Sequence, residues 1–113
     1  MKHEVGSLRA TLSQRLEELG VEERAWPGRD DGFASLLFGG EDFAHFHNDN
    51  ELDIRLGKQV IAKERLFRLP DSTVHPDRSK GSHWHEIRFN NKSEVDEVVR
   101  LVKIAIAGLG RRK

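Results

Sequence analysis

The chain has no cysteine and no tyrosine. The first absence excludes disulfides, thiolate nucleophiles and zinc–thiolate centres. The second removes one common general acid. No apolar run approaches the roughly 18 residues that a spanning helix needs. The opening stretch MKHEVGSLRATLSQRLEELG is amphipathic and charged, unlike the apolar centre of a secretory leader. A cytoplasmic location with no membrane contact is the expectation. Charge of one sign is missing too, since 19 Lys and Arg balance 19 Asp and Glu. Nucleic-acid grips and polybasic membrane binders usually carry a basic excess or stripe, so both partner classes are disfavoured. The ending Arg111-Arg112-Lys113 reads as a short solvated tail that suits the negative end of a preceding helix.

The 113 residues suit a single domain, 1–113, with one modest core. Leu8, Leu12, Leu16 and Leu19 recur at helical spacing, with Ser7 to start the helix and Gly20 to stop it. The following VEERAWPGRDDG is punctuated by Pro27, Gly28 and Asp31-Gly32 as a loop or short edge strand. Trp26 is expected to anchor that loop on the core. Three strand-like runs come next, FASLLF (33–38), DFAHFH (42–47) and ELDIRL (51–56). The last alternates cleanly, with Leu52, Ile54 and Leu56 on one face. KQVIAKERLFRL (58–69) has a helical pattern closed by Pro70. A polar connection, DSTVHPDRSKGS, leads to the strand HWHEIRF (83–89). A wide stripe of Val95, Val98, Val99, Val102, Ile106 and Leu109 then marks a final helix, with Ser93 and Asp96 as a near capping box. The fold class expected is α+β, a two-layer domain in the order α-β-β-β-α-β-α, with helices on one face of an antiparallel sheet.

The residues that carry chemistry lie in FAHFHNDNELDIRL. A three-residue loop, Asn48-Asp49-Asn50, sets His47 opposite Glu51, Phe46 opposite Leu52, His45 opposite Asp53 and Ala44 opposite Ile54. This register separates apolar from polar partners, whereas a two-residue loop mixes them. One face then carries His45, His47, Glu51 and Asp53. Imidazole and carboxylate at this spacing make a workable first shell for zinc, iron, manganese or nickel, with His45, His47 and Asp53 as the candidate ligands. The bland alternative is a solvated ladder of cross-strand pairs, each worth roughly 0.2–1 kcal/mol. On the late strand, Ile87 and Phe89 should face the core. His83 and His85 then sit at the core rim, with Trp84, Glu86 and Arg88 on the other face. In HPDRSKGSHWHE, His75, Arg78 and Lys80 with the backbone around Gly81 could cradle an anion. No nucleophile elbow surrounds Ser79 or Ser82, so no catalytic residue is assigned.

The segments EDFAHFHNDNELDIRL, VHP, SHWHEIRF and SEVDEVVRLVKIA together resemble the luciferase-domain family. Its members show a His-x-His strand, a turn, a short strand ending in leucine, a His-Pro pair, a further strand and a closing helix. His45, His47, His75 and Pro76 carry the resemblance, which runs over about 33–107. The layout is also similar to the YjbR/MmcQ family, whose α+β domain is sometimes labelled DNA-binding. The resemblance implies the α+β fold and raises interest in His45 and His47, but it carries over no catalytic residues and implies no cofactor. The expected function is a small non-enzymatic binding or interaction module that uses His45, His47 and Asp53 or the His75–Lys80 loop. Its partner would be a small molecule or a protein, and the chain a monomer or weak homodimer. The alternatives are a metal-dependent or small-molecule enzyme using the histidines, and a YjbR/MmcQ-like nucleic-acid binder.

Overall fold

In a computed structural model, the structure describes residues 5–28, 32–66 and 83–111. The order is α1 (Val5–Glu18), β1 (Glu22–Ala25), β2 (Ala34–Phe38), β3 (Glu41–Asn48), β4 (Glu51–Arg55), α2 (Lys58–Lys63), β5 (Trp84–Arg88) and α3 (Lys92–Arg111). The five strands form one antiparallel sheet in sequential order β1-β2-β3-β4-β5. The α+β class holds, and of the two alternatives for VEERAWPGRDDG, loop or short edge strand, the structure takes the edge strand, a fifth beside the four in the expected order. That strand is β1, whose sequence EERA is exposed at every position. It pairs with β2 alone and shows no apolar alternation, so only its pairing partner defines it.

The pairs Ala34↔Phe46, Leu36↔Ala44, Phe46↔Leu52 and Ala44↔Ile54 gather small and large apolar residues on one sheet face. These residues join Leu12 and Leu16 of α1 and Val95, Val98, Leu101 and Val102 of α3 in one buried cluster. Full burial of each large apolar side chain contributes about 1.5–3 kcal/mol, so the leucine and valine stripes fix which way both helices face. Arg9 of α1 crosses the same face, its guanidinium 3.6 Å from the Phe46 ring centre. Its fork donates to the Gly32 carbonyl at 2.9 Å and to the Asn48 carbonyl at 3.1 Å, and pairs with Glu23 at 2.8 Å. One side chain thus ties the helix to the loop at Gly32, to the end of β3 and to β1. The expected rim position of His85 holds: it is buried, pairs with Ile54 and lies on the helix side.

Of three helix ends, one matches the sequence expectation and two differ from it. The first helix stops as expected at Gly20 (φ 93), with Val21 N–H donating to the Leu16 carbonyl and Gly20 N–H to that of Glu17. The second stops at Lys63 with the same bond pattern, Leu66 to Ile61 and Arg65 to Ala62, but with Arg65 in the left-handed position (φ 57). An arginine there gives no sequence signal, so the helical pattern of 58–69 runs past the observed stop; residues 67–70 lie outside the described residues. The third helix is capped two residues earlier than expected. Asn91 Oδ1 accepts from Glu94 N–H at 2.9 Å, and Glu94 Oε1 accepts from Asn90 N–H at 2.7 Å. The box is therefore Asn91 and Glu94, not Ser93 and Asp96.

Candidate functional site

The hairpin of β3 and β4 decides what the opposite sheet face carries. Phe46↔Leu52, His45↔Asp53 and Ala44↔Ile54 pair as the apolar pattern requires. The expected His47↔Glu51 pair does not form. Asn48 stands opposite Glu51, and the register shifts between Phe46 and Asn48. His47 is thus the extra residue of a β-bulge, which lets a two-residue turn coexist with properly sorted faces. A bulge bends its strand and re-aims its side chain. Here it directs the His47 ring toward carboxylates on β4 and, one strand further, β5.

His47 Nδ1 lies 3.3 Å from Glu51 Oε2 and 3.4 Å from Glu86 Oε2, while its Nε2 lies 4.0 Å from Asp53 Oδ2. Glu51 turns its other oxygen toward Arg88 Nε at 3.4 Å. Asp53 stands directly across from Glu86 in the β4–β5 pair. These groups are buried, with His47 8%, Glu51 4%, Asp53 3% and Glu86 3% exposed. The expected solvated ladder is therefore overturned, because neither the histidine nor its carboxylate neighbours face open water. Ionised carboxylates are costly to bury unless paired, hydrogen-bonded or bound to a cation. Among the described residues, Glu86 Oε2 accepts no hydrogen bond, although it lies close to the His47 ring.

His45 takes a different course. It sits across from Asp53, but its Nε2 pairs with Asp42 at 3.1 Å, and its ring is partly exposed. Its ring stacks on Trp84, with centres 5.2 Å apart and planes 12° from parallel. Phe33 stacks near both histidine rings, at 5.9 Å and 6.5 Å. Trp26 meets Phe33 edge-on at 5.5 Å and donates its indole N–H to Ser35 Oγ at 2.8 Å. Trp26 is 49% exposed, so the core anchor expected for it is not found. It extends a row of rings along the polar face instead.

Of the residues singled out from the sequence, His45, His47 and Asp53 share this face, but only His47 and Asp53 approach each other within ion-pair distance. His75, Arg78 and Lys80 lie outside the described residues. The tightest cluster adds two residues not chosen as ligands. One potential donor atom from each of His47, Glu51 and Glu86 lies within 4.8 Å of the others. Glu86 was legible in part: alternation puts it opposite Ile87 and Phe89, on the face away from the helices. What the sequence withheld was that β5 lies beside β4, which brings Glu86 to the hairpin.

The arrangement on this His-x-His hairpin accompanies a match to a family model, the luciferase domain, over residues 40–105, more than half of the chain. The chain belongs to the luciferase-domain family. The matched segment contains β3, β4, α2 and β5 and most of α3, so every member of the polar cluster lies within it. No curated protein and no solved structure matches the chain. Among the described residues, no helix is long and apolar enough to cross a membrane.

Proposed function

We propose that this luciferase-domain protein is a small binding module whose ligand carries positive charge and engages the polar face of the sheet. The observation that carries the reading is the concentration of Glu51, Asp53 and Glu86 on one face, all buried, beside a row of rings formed by Trp26, Phe33, His45 and Trp84. Carboxylates withdrawn from water attract a cation more strongly than exposed ones, because water screens the attraction less. Aromatic faces at the rim add a cation–π contribution of about 0.5–2 kcal/mol. The half-exposed Trp26 and the partly exposed His45 mark the side from which a ligand reaches the face. No bond need be made or broken for this role. The same face argues against the nucleic-acid reading, since buried carboxylates repel a phosphate backbone.

The test is an NMR titration of the full chain with benzylamine and, separately, with neutral benzyl alcohol. The expected result is saturable shifts at the Trp26 indole, His45 and Trp84, with the amine at least about tenfold tighter, equivalent to roughly 1.4 kcal/mol. Equal responses to both compounds, or shifts spread over α1 and α3, would refute a cation-selective face.

A further inference from the structure

The proposed cation-binding face contains a point too narrow for an organic amine. We infer that His47, Glu51 and Glu86 form a binding site for one divalent transition-metal ion, with Asp53 and Arg88 as positioning residues. This inference rests on the reading that the face attracts cations, and it names the cation.

The spacing supplies the first argument. A tetrahedral ion with ligands about 2.1 Å away has neighbouring ligand atoms about 3.4 Å apart. His47 Nδ1 stands 3.3 Å from Glu51 Oε2 and 3.4 Å from Glu86 Oε2. One imidazole nitrogen and two carboxylate oxygens suit zinc, manganese or ferrous iron, and the lack of cysteine leaves no thiolate to draw softer metals.

The second argument is independent of spacing. Glu86 is 3% exposed, and its Oε2, aimed into the cluster, accepts no hydrogen bond among the described residues. A buried carboxylate oxygen left in this way has lost its hydration with no hydrogen bond in return. A metal ion replaces that hydration by taking the lone pair directly.

The neighbours complete the design. Metal-binding histidines usually present their second ring nitrogen to a carboxylate, and their carboxylate ligands are themselves held by further bonds. His47 turns Nε2 toward Asp53 Oδ2 at 4.0 Å, and Glu51 Oε1 faces Arg88 Nε at 3.4 Å. The bulge at His47 brings Nδ1 to the carboxylates, and a regular strand would place the ring elsewhere. His45 stays outside the site because its Nε2 is engaged by Asp42.

The experiment uses the full chain, stripped with chelator and transferred to chelator-free buffer. Zinc is titrated by calorimetry, and manganese is added as a paramagnetic probe in NMR. The expected result is one equivalent of zinc bound, with manganese broadening centred on His47, Glu51 and Glu86. His47→Gln and Glu86→Gln should each weaken zinc binding by on the order of 100-fold or more, whereas His45→Gln should change it by less than about threefold. Broadening on wild-type protein needs no variant to fold, so the site is tested even where a substitution misfolds. No binding near one equivalent, or binding unchanged in both Glu86→Gln and His47→Gln, overturns the inference. If benzylamine still shifts the ring row while zinc fails, the metal site falls and the cation-binding face stands. If zinc binds at the triad while benzylamine does nothing, the metal site stands and the wider face falls.

Discussion

Replacing Glu86 by Gln should stabilise the metal-free protein. The Glu86 carboxylate is buried, its Oε2 accepts no hydrogen bond among the described residues, and Asp53 faces it across the β4–β5 pair. Leaving a buried acceptor unsatisfied costs about 1–3 kcal/mol, and more when the group is charged. A like charge directly opposite adds a few tenths to about 1 kcal/mol. Glutamine keeps the shape, removes the charge and offers an amide N–H to the Glu51 and Asp53 oxygens. The expected gain is about 1–3 kcal/mol. For a domain near 100 residues each kcal/mol raises the melting temperature by roughly 4–6 °C, so the rise should be about 4–18 °C. Calorimetric melts of both proteins at pH 7 in chelator-containing buffer measure it. As a control, Glu22→Gln on the exposed β1 should stay within about 0.5 kcal/mol of wild type. A melting temperature lowered by Glu86→Gln would show that the carboxylate is well satisfied, and the argument from its orphaned oxygen would collapse. Carboxylates retained against stability are the usual mark of a functional site.

Three further outcomes test the rest of the fold. Phe46 is fully buried, with the Phe89 ring edge-on at 6.2 Å and Arg9 over its face, so Phe46→Ala should cost about 3–5 kcal/mol in urea unfolding; less than 1 kcal/mol would mean that this face is not the core. Arg9→Met keeps an apolar stem over Phe46 but removes the fork that binds the Gly32 and Asn48 carbonyls, and should cost about 1–3 kcal/mol; a neutral result would show that water replaces the clamp. Glu97 is held below its ordinary value near 4.5 by hydrogen bonds and charge from Arg100, opposed by desolvation, with a smaller contribution from His85 of β5; Arg100 in turn also holds Glu64 beyond α2. A lowered folded value means that this stability is present above pH 4.5 and is lost as pH falls through the folded value. Both partners are more than a third exposed, so the contribution is a few tenths of a kcal/mol at most, and Glu97→Gln should flatten the acid limb of the stability curve by that amount. Superimposable acid limbs would remove the pair from the account.

Local periodicity was enough to place most elements. The strict alternation of Leu52, Ile54 and Leu56, the valine stripe of α3 and the Gly20 stop of α1 are properties of neighbouring residues, and each stands where the sequence put it. The Phe46–Leu52 and His45–Asp53 pairs were also legible, because a slip by one residue exposes a whole apolar face to water. What required the tertiary structure depends on residues far apart in the chain. β1 pairs only with the edge that β2 offers, and α2 stops at Lys63 ahead of a left-handed Arg65, a residue type that gives no stop signal. The candidate site belongs to this second class. Sequence supplied His47, but the bulge that aims it, the strand neighbour that delivers Glu86 and the burial that makes their charges costly come from packing three strands side by side. Hydrophobic pattern determines which face a residue takes; only the assembled sheet decides which carboxylates share that face with His47, and how little water reaches them.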